Sequence, residues 1–99
     1  MLARQVTIHG SPEGIDEAVR VQQDVVVPVL RACEGFVAQV FLVDRDAGVV
    51  IGTSYWISEA AMRASEDKVR PARQRVAAEL GNASPPDVRV YEVPVFVIA

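Results

Sequence analysis

Phe36-Val37-Ala38-Gln39-Val40-Phe41-Leu42-Val43 decides the fold, together with the Asp44-Arg45-Asp46-Ala47-Gly48 and Val49-Val50-Ile51-Gly52-Thr53-Ser54-Tyr55-Trp56 that follow it. The first run is apolar except for Gln39 and reads as a strand buried on both faces. Asp44 to Gly48 is hairpin chemistry, with Gly48 supplying a positive φ. Val49–Trp56 is the returning strand.

Upstream, Ile15, Val19, Gln22, Val26, Val29 and Cys33 recur at alternating spacings of four and three, which is one face of a helix. Glu13, Asp16 and Glu17 suit the positive end of its dipole. Pro28 removes a backbone donor and crowds the carbonyl of Asp24, so a kink is expected there. Gly35 caps the end. Before this helix, Gly10 to Gly14 is a loop. Residues Ala3–His9 alternate, with Val6 and Ile8 on one face and Gln5, Thr7 and His9 on the other, which predicts a strand.

Downstream, Ser58 caps a second helix and Glu59 sits in its first turn. Met62, Ser65, Val69, Ala72, Val76 and Leu80 mark its buried face. Pro71 falls inside that pattern, so two helical segments are expected, with Pro71 in the first turn of the second. Gly81-Asn82 terminates them, and Ser84-Pro85-Pro86-Asp87 is a loop. Val88–Ile98 is the last strand. Pro94 interrupts it and marks an edge, a bulge or a departure from the sheet.

The resulting order, βαββαβ, is the ferredoxin-like split β-α-β arrangement of an α+β protein. It predicts a four-stranded antiparallel sheet, ordered 4-1-3-2, with both helices on one face. The 19 valines, against 4 leucines and 5 isoleucines, suit a domain built on a sheet. At 99 residues, positions 1–99 are expected to form a single domain. Helices on one face leave the other face of these apolar strands bare, a larger patch than monomers usually show. A two-fold homodimer formed through the sheet faces is therefore expected. Val95–Ile98 either reaches the partner or remains a simple edge strand.

Composition narrows the function. A chain 51% hydrophobic and 23% charged is globular. A net charge of −3 argues against nucleic acid, which needs a basic face. Cys33 is the only cysteine and His9 the only histidine, so neither a disulfide framework nor a metal site is expected. No apolar run reaches the roughly 18 residues of a membrane span, and the N-terminus lacks a signal-peptide pattern. With a free thiol, this predicts a cytoplasmic protein.

Several residues carry candidate chemistry. His9, at the end of the first strand, suits a general base acting on a phenol, or else a strand-end hydrogen bond to a loop or water. Tyr55 and Trp56 point to opposite faces, and either can stack on an aromatic ligand. Trp56 also suits a packing role where strand three meets helix two. Cys33, on the apolar face of helix one, reads as a buried thiol. Lys68, Arg70, Arg73 and Arg75 either position an anionic substrate or form a solvated face paired with Glu66, Asp67 and Glu79. There is no Gly-rich phosphate loop and no Gly-x-Ser-x-Gly elbow.

Gly35-Phe36, Leu42-Val43-Asp44-Arg45-Asp46-Ala47-Gly48 and Trp56-Ile57-Ser58-Glu59-Ala60-Ala61-Met62 together resemble the dimeric α/β-barrel superfamily. More narrowly, the chain is similar to the antibiotic biosynthesis monooxygenase family. Those chains carry a Gly-Phe opening strand two, an acidic hairpin, and a Trp followed by a capping residue and an acidic-Ala pair. The resemblance implies a homodimer, a pocket between helices and sheet in each protomer, and no metal or flavin cofactor. Some members oxidise polycyclic phenols to quinones with molecular oxygen; others degrade heme; many have no known activity. The heme-degrading residues fall on Thr7, near Ser65 and near Gln74, and none matches. The quinone-forming branch uses a Trp like Trp56, while its Asn position is near Gly52, its Tyr position near Met62 and its Arg position near Arg73 and Arg75.

Two readings follow, since a fold does not assign a function. In the first, the protein binds or oxidises a small aromatic or polyketide-like compound. His9 and Trp56 are then its catalytic candidates, and Thr7, Tyr55, Met62, Arg73 and Gln74 its substrate pocket. In the second, the fold serves as a non-catalytic ligand-binding or assembly module. An isomerase or decarboxylase of the superfamily shares the pocket of the first.

Overall fold

The computed structural model describes residues 1–81 and 84–99. Strand β1 (Leu2–His9) leads through a single 3-10 turn into helix α1 (Ile15–Val21), a π turn (Gln22–Val26) and helix α2 (Val27–Arg31). Strands β2 (Phe36–Asp44) and β3 (Val49–Trp56) form the hairpin. Helix α3 (Glu59–Leu80) and strand β4 (Asp87–Glu92) complete the chain. The sheet order is β2-β3-β1-β4, and every pairing is antiparallel, as the sequence predicts.

Register sorts the side chains. Arg4 opposes Ser54 and Val90, and Val6 opposes Gly52 and Val88. On the other side of β3, Ser54 opposes Gln39 and Gly52 opposes Phe41. Alternation therefore places Arg4, Val6, Ile8, Gln39, Phe41, Val50, Gly52, Ser54 and Trp56 on one face. That face meets the helices, whose buried Ile15, Val21, Leu30, Val76 and Leu80 close the core with Val50 and Trp56. The opposite face carries Ala3, Gln5, Thr7, Thr53, Tyr55, Ala38, Val40 and Leu42. Within one chain it is open: Val40 is 46% and Leu42 52% exposed. Strand β2 is thus not buried on both faces as expected: Phe36, Gln39 and Phe41 are half-buried on its helix side, while Val40 and Leu42 are exposed on the other.

The hairpin follows its turn chemistry. Gly48 has φ +69°, and its carbonyl accepts from the amide of Gly10 at 2.8 Å. A β-carbon there would sit 2.6 Å from the Gly10 carbonyl oxygen, so the position needs glycine for space as well as for φ. At the start of α3, the Ser58 hydroxyl accepts from the amide of Ala61 at 3.1 Å, the expected cap. The predicted apolar stripe of α3, from Met62 to Leu80, is buried in full.

Three expectations change. Pro71 does not divide α3, which runs unbroken for 22 residues. Pro71 and Asp67 are both exposed, so the carbonyl freed by the missing donor faces water rather than the core. The kink expected at Pro28 takes the form of a π turn just upstream of it. Val21 and Gln22 are buried in succession where it begins, and beyond it Leu30 takes the buried place predicted for Val29. The last strand ends at Glu92, not Ile98, because Pro94 cannot donate to the ladder. The tail instead folds across the open face, where the Phe96 ring lies 5.1 Å from that of Tyr55. Gly81 closes α3 in the left-handed conformation, while its predicted companion Asn82 lies outside the described residues.

Candidate ligand-binding cleft

A cleft lies between the helices and the inner face of the sheet. Its walls are apolar: Val6, Ile8 and Val50 from the sheet, Val26 and Leu30 from the first helical run, and Val69 and Val76 from α3. Into it come five polar side chains, Arg4, Gln22, Gln39, Ser54 and Arg73. Gly52, which lines it from β3, leaves room beside Gln39 and Phe41. The cavity measures about 40 Å³. That holds water-sized contents, against the roughly 300 Å³ or more usual for ligand pockets.

Arg4 reaches the core by strand alternation, two residues before Val6 and four before Ile8. Its side chain is only 5% exposed. A buried cation needs partners. Nη1 donates to Glu66 Oε2 at 2.9 Å and to the Met62 carbonyl at 3.3 Å. The guanidinium also lies over the Trp56 ring. Nη2 has no hydrogen-bond partner, the one such buried side-chain atom among the described residues. Burial pushes the Arg4 pKa down, Glu66 pulls it back up and Arg73 lowers it further.

Glu66 is shared by three arginines. Its Oε1 accepts from Arg73 Nη1 at 3.0 Å and its Oε2 from Arg73 Nη2 at 3.1 Å, a bidentate pair. Arg70 approaches at 3.5 Å. The Arg73 hydrogen bonds hold the Glu66 carboxyl below the usual range, against the opposing effect of burial. Three guanidiniums around one carboxylate leave a local positive excess in a chain of net charge −3. Across the cleft, Gln22 faces β2 from the end of α1, and its Nε2 donates to Gln39 Oε1 at 2.8 Å.

Of the residues predicted for a site, Arg73 alone lines this cleft. His9 is exposed at the end of β1 and lies, with half-buried Thr7, on the opposite face of the sheet. Tyr55 is also on that face, against Phe96. Trp56 is fully buried, donates from Nε1 to Ser54 Oγ at 2.8 Å and meets Phe36 edge-on at 5.5 Å. It packs beneath Arg4 and does not line the cavity. Met62 is buried and offers Arg4 its carbonyl. Gln74 is exposed on α3. His9, Thr7, Trp56 and Gln74 thus divide among the open sheet face, the core and the exposed side of α3. Alternation along β1 and the helical phase of α3 dictate that separation.

Arg4, Gln22, Gln39 and Ser54 were not singled out as site residues. Three of the four leave a trace in the sequence. Gln22 stands alone among apolar residues on the helix-one stripe, Gln39 is the one polar break in β2, and Arg4 has the parity of Val6 and Ile8. Outside the cleft, a groove of about 660 Å³ runs along the open face beneath tail residues Val93 to Val97. Among the described residues no group of three or more His, Cys, Asp or Glu could hold a metal ion, and no helix is long and apolar enough to cross a membrane.

No protein-family model matches the chain. It is similar to the uncharacterized protein Rv2557 of Mycobacterium tuberculosis (strain ATCC 25618 / H37Rv), 38% identical over 91 residues that make up 92% of this chain and 40% of that protein. The chain therefore spans about 40% of the length of that curated relative. Among solved structures it is similar to a monooxygenase from the gene ActVA-Orf6 of Streptomyces coelicolor, crystallised with the ligand Nanaomycin D. That match has a TM-score of 0.80 at 19% identity and covers 99% of this chain and 91% of the other. A crystal structure of an antibiotic biosynthesis monooxygenase matches with a TM-score of 0.73 at 19% identity, covering 94% and 98%. The chain has the ferredoxin-like fold that these monooxygenases share.

Proposed function

We propose that this domain binds a small aromatic compound in the cleft between helices and sheet, as a homodimeric module of the antibiotic biosynthesis monooxygenase-like type. One observation carries the reading: an apolar-walled cleft with a buried, incompletely partnered arginine among its lining residues. Burial of that charge is costly, and Glu66, the Met62 carbonyl and the Trp56 ring still leave Nη2 without a protein acceptor. The exposed Val40 and Leu42 of the open sheet face support a second copy as its cover.

Oxidation is compatible with this cleft. A phenol and molecular oxygen give a quinone and water, with the substrate as the electron source. The described residues lining the cleft include no imidazole and no carboxylate, so His9 would stand outside the reaction. Arg4 and Arg73 would instead favour the ionised form of a bound phenol. A second reading, an assembly module without a ligand, is favoured by the cavity volume of about 40 Å³.

The test uses 1-naphthol as probe, whose oxidation by one O2 gives 1,4-naphthoquinone and water, with methyl NMR and oxygen uptake read together. Shifts at the Val6, Val26 and Val69 methyls with oxygen consumption support binding and oxidation. The same shifts without consumption support binding alone. Unmoved cleft methyls overturn the proposal and leave the assembly module.

A further inference from the structure

We propose that the cleft takes its ligand as an oxyanion on an apolar body, a carboxylate or an ionised phenol, seated on the guanidiniums of Arg4 and Arg73. This rests on the cleft being a ligand site and adds the charge of what occupies it.

Three independent observations converge. The first is hydrogen-bonding capacity. Arg4 is 5% exposed at its side chain, and its Nη2 finds no protein acceptor. An unsatisfied buried donor on a cation is costly, and an incoming oxyanion would relieve it. The second is charge. Arg4, Arg70 and Arg73 share the single Glu66, so the cluster keeps a positive excess after its internal pairs are made. The third is neutrality elsewhere in the cleft. Gln22, Gln39 and Ser54 are its other polar residues, and none repels an anion.

Val21 and Gln22 are buried in succession where α1 gives way to the π turn, and Gln22 meets Gln39 across the cleft. The cavity of about 40 Å³ suits the anionic group rather than a whole ring. The apolar body would then extend toward the half-buried Phe41. A cationic ligand is disfavoured by the same arginines, and a neutral one would leave their excess charge uncompensated.

The experiment compares benzoate with benzamide, its neutral isostere, on the intact chain. Binding is followed through the Val6 and Val69 methyls and the Arg Nε resonances. Benzoate is expected to bind about tenfold or more tightly than benzamide, the usual scale of a hydrogen bond to a charged group. Arg73→Gln should bring that ratio toward unity. This variant spares the deeply buried Arg4, whose replacement risks the fold. 4-Nitrophenol supplies the phenol arm: its visible phenolate band should grow on binding at a fixed, mildly acidic pH. Equal affinities for benzoate and benzamide overturn the anion proposal while leaving the cleft as a ligand site. Unmoved cleft methyls with both probes overturn that reading as well. A benzoate preference that persists in Arg73→Gln overturns the two-arginine seat.

Discussion

The Arg4 guanidinium carbon lies 5.2 Å from the centre of the Trp56 ring. The cation thus receives a π face beside it as well as Glu66 and the Met62 carbonyl. Trp56 is in turn held by Ser54, whose hydroxyl donates to the Arg4 carbonyl at 3.5 Å. Arg4, Ser54 and Trp56 form one packing unit spanning two neighbouring strands.

Replacing Arg4 tests that unit. Arg4→Ala should cost about 2–4 kcal/mol, since it empties a buried volume and breaks the Glu66 pair. Arg4→Met refills the space and removes the unpartnered donor, so it should cost about 1 kcal/mol or less. Urea denaturation of the two variants provides the measurement. Equal losses would mean that charge, not volume and satisfaction, governs the site.

Glu66 gives a pH signature. Its folded pKa lies below its unfolded one, so folding favours the carboxylate. That contribution is present above the ordinary glutamate value of about 4.3 and is lost as the pH falls through the folded value. Glu66→Gln should be less stable than the parent near neutrality, and the gap should close in acid. Urea midpoints measured from pH 7 down to pH 3 decide it; a gap independent of pH removes the ionic role.

Helix α3 offers a gain of stability. Pro71 sits in its interior on the exposed side, where it denies Asp67 a hydrogen bond. Pro71→Ala should stabilise the fold by about 1–3 kcal/mol, because the restored donor outweighs the entropy proline removes from the unfolded chain. A thermal melt shows the sign directly. A lower melting temperature would show that the helix depends on the bend.

The cap of the same helix predicts the opposite sign. Ser58→Ala leaves the Ala61 amide without its acceptor and should cost about 0.5–2 kcal/mol, while Ser58→Asp should restore most of the loss.

The open face predicts association. Leu42→Lys, at a side chain 52% exposed in the single chain, should leave the fold intact. It should convert a dimer to a monomer in light scattering. A parent that is monomeric at tens of micromolar would remove the proposed sheet-to-sheet pairing.

Much of the fold was legible because the signals were periodic. Period two placed β1, the hairpin chemistry of Asp44 to Gly48 placed β3 as its returning strand, and the α3 stripe matched its buried face residue for residue. Strand order followed from the sequence of elements. Two prolines were misjudged because their cost depends on what faces them: water at Pro71, a widened turn before Pro28. The site was harder to read. His9 and Trp56 drew attention as residue types rich in chemistry, but strand parity sends one outward and core packing seals the other. Arg4 looked like part of an ordinary N-terminal flank, and only its pairing with Glu66, 62 residues away, makes it notable.

The π turn at Gln22–Val26 lets this helical run hold one residue more than an ordinary helix would need. Losing the exposed Asp24 would return the run to ordinary helix. Gln22 takes its phase from α1, before the gap, and would still face Gln39. The length of this segment can thus change by one residue while the core and the cleft keep their register.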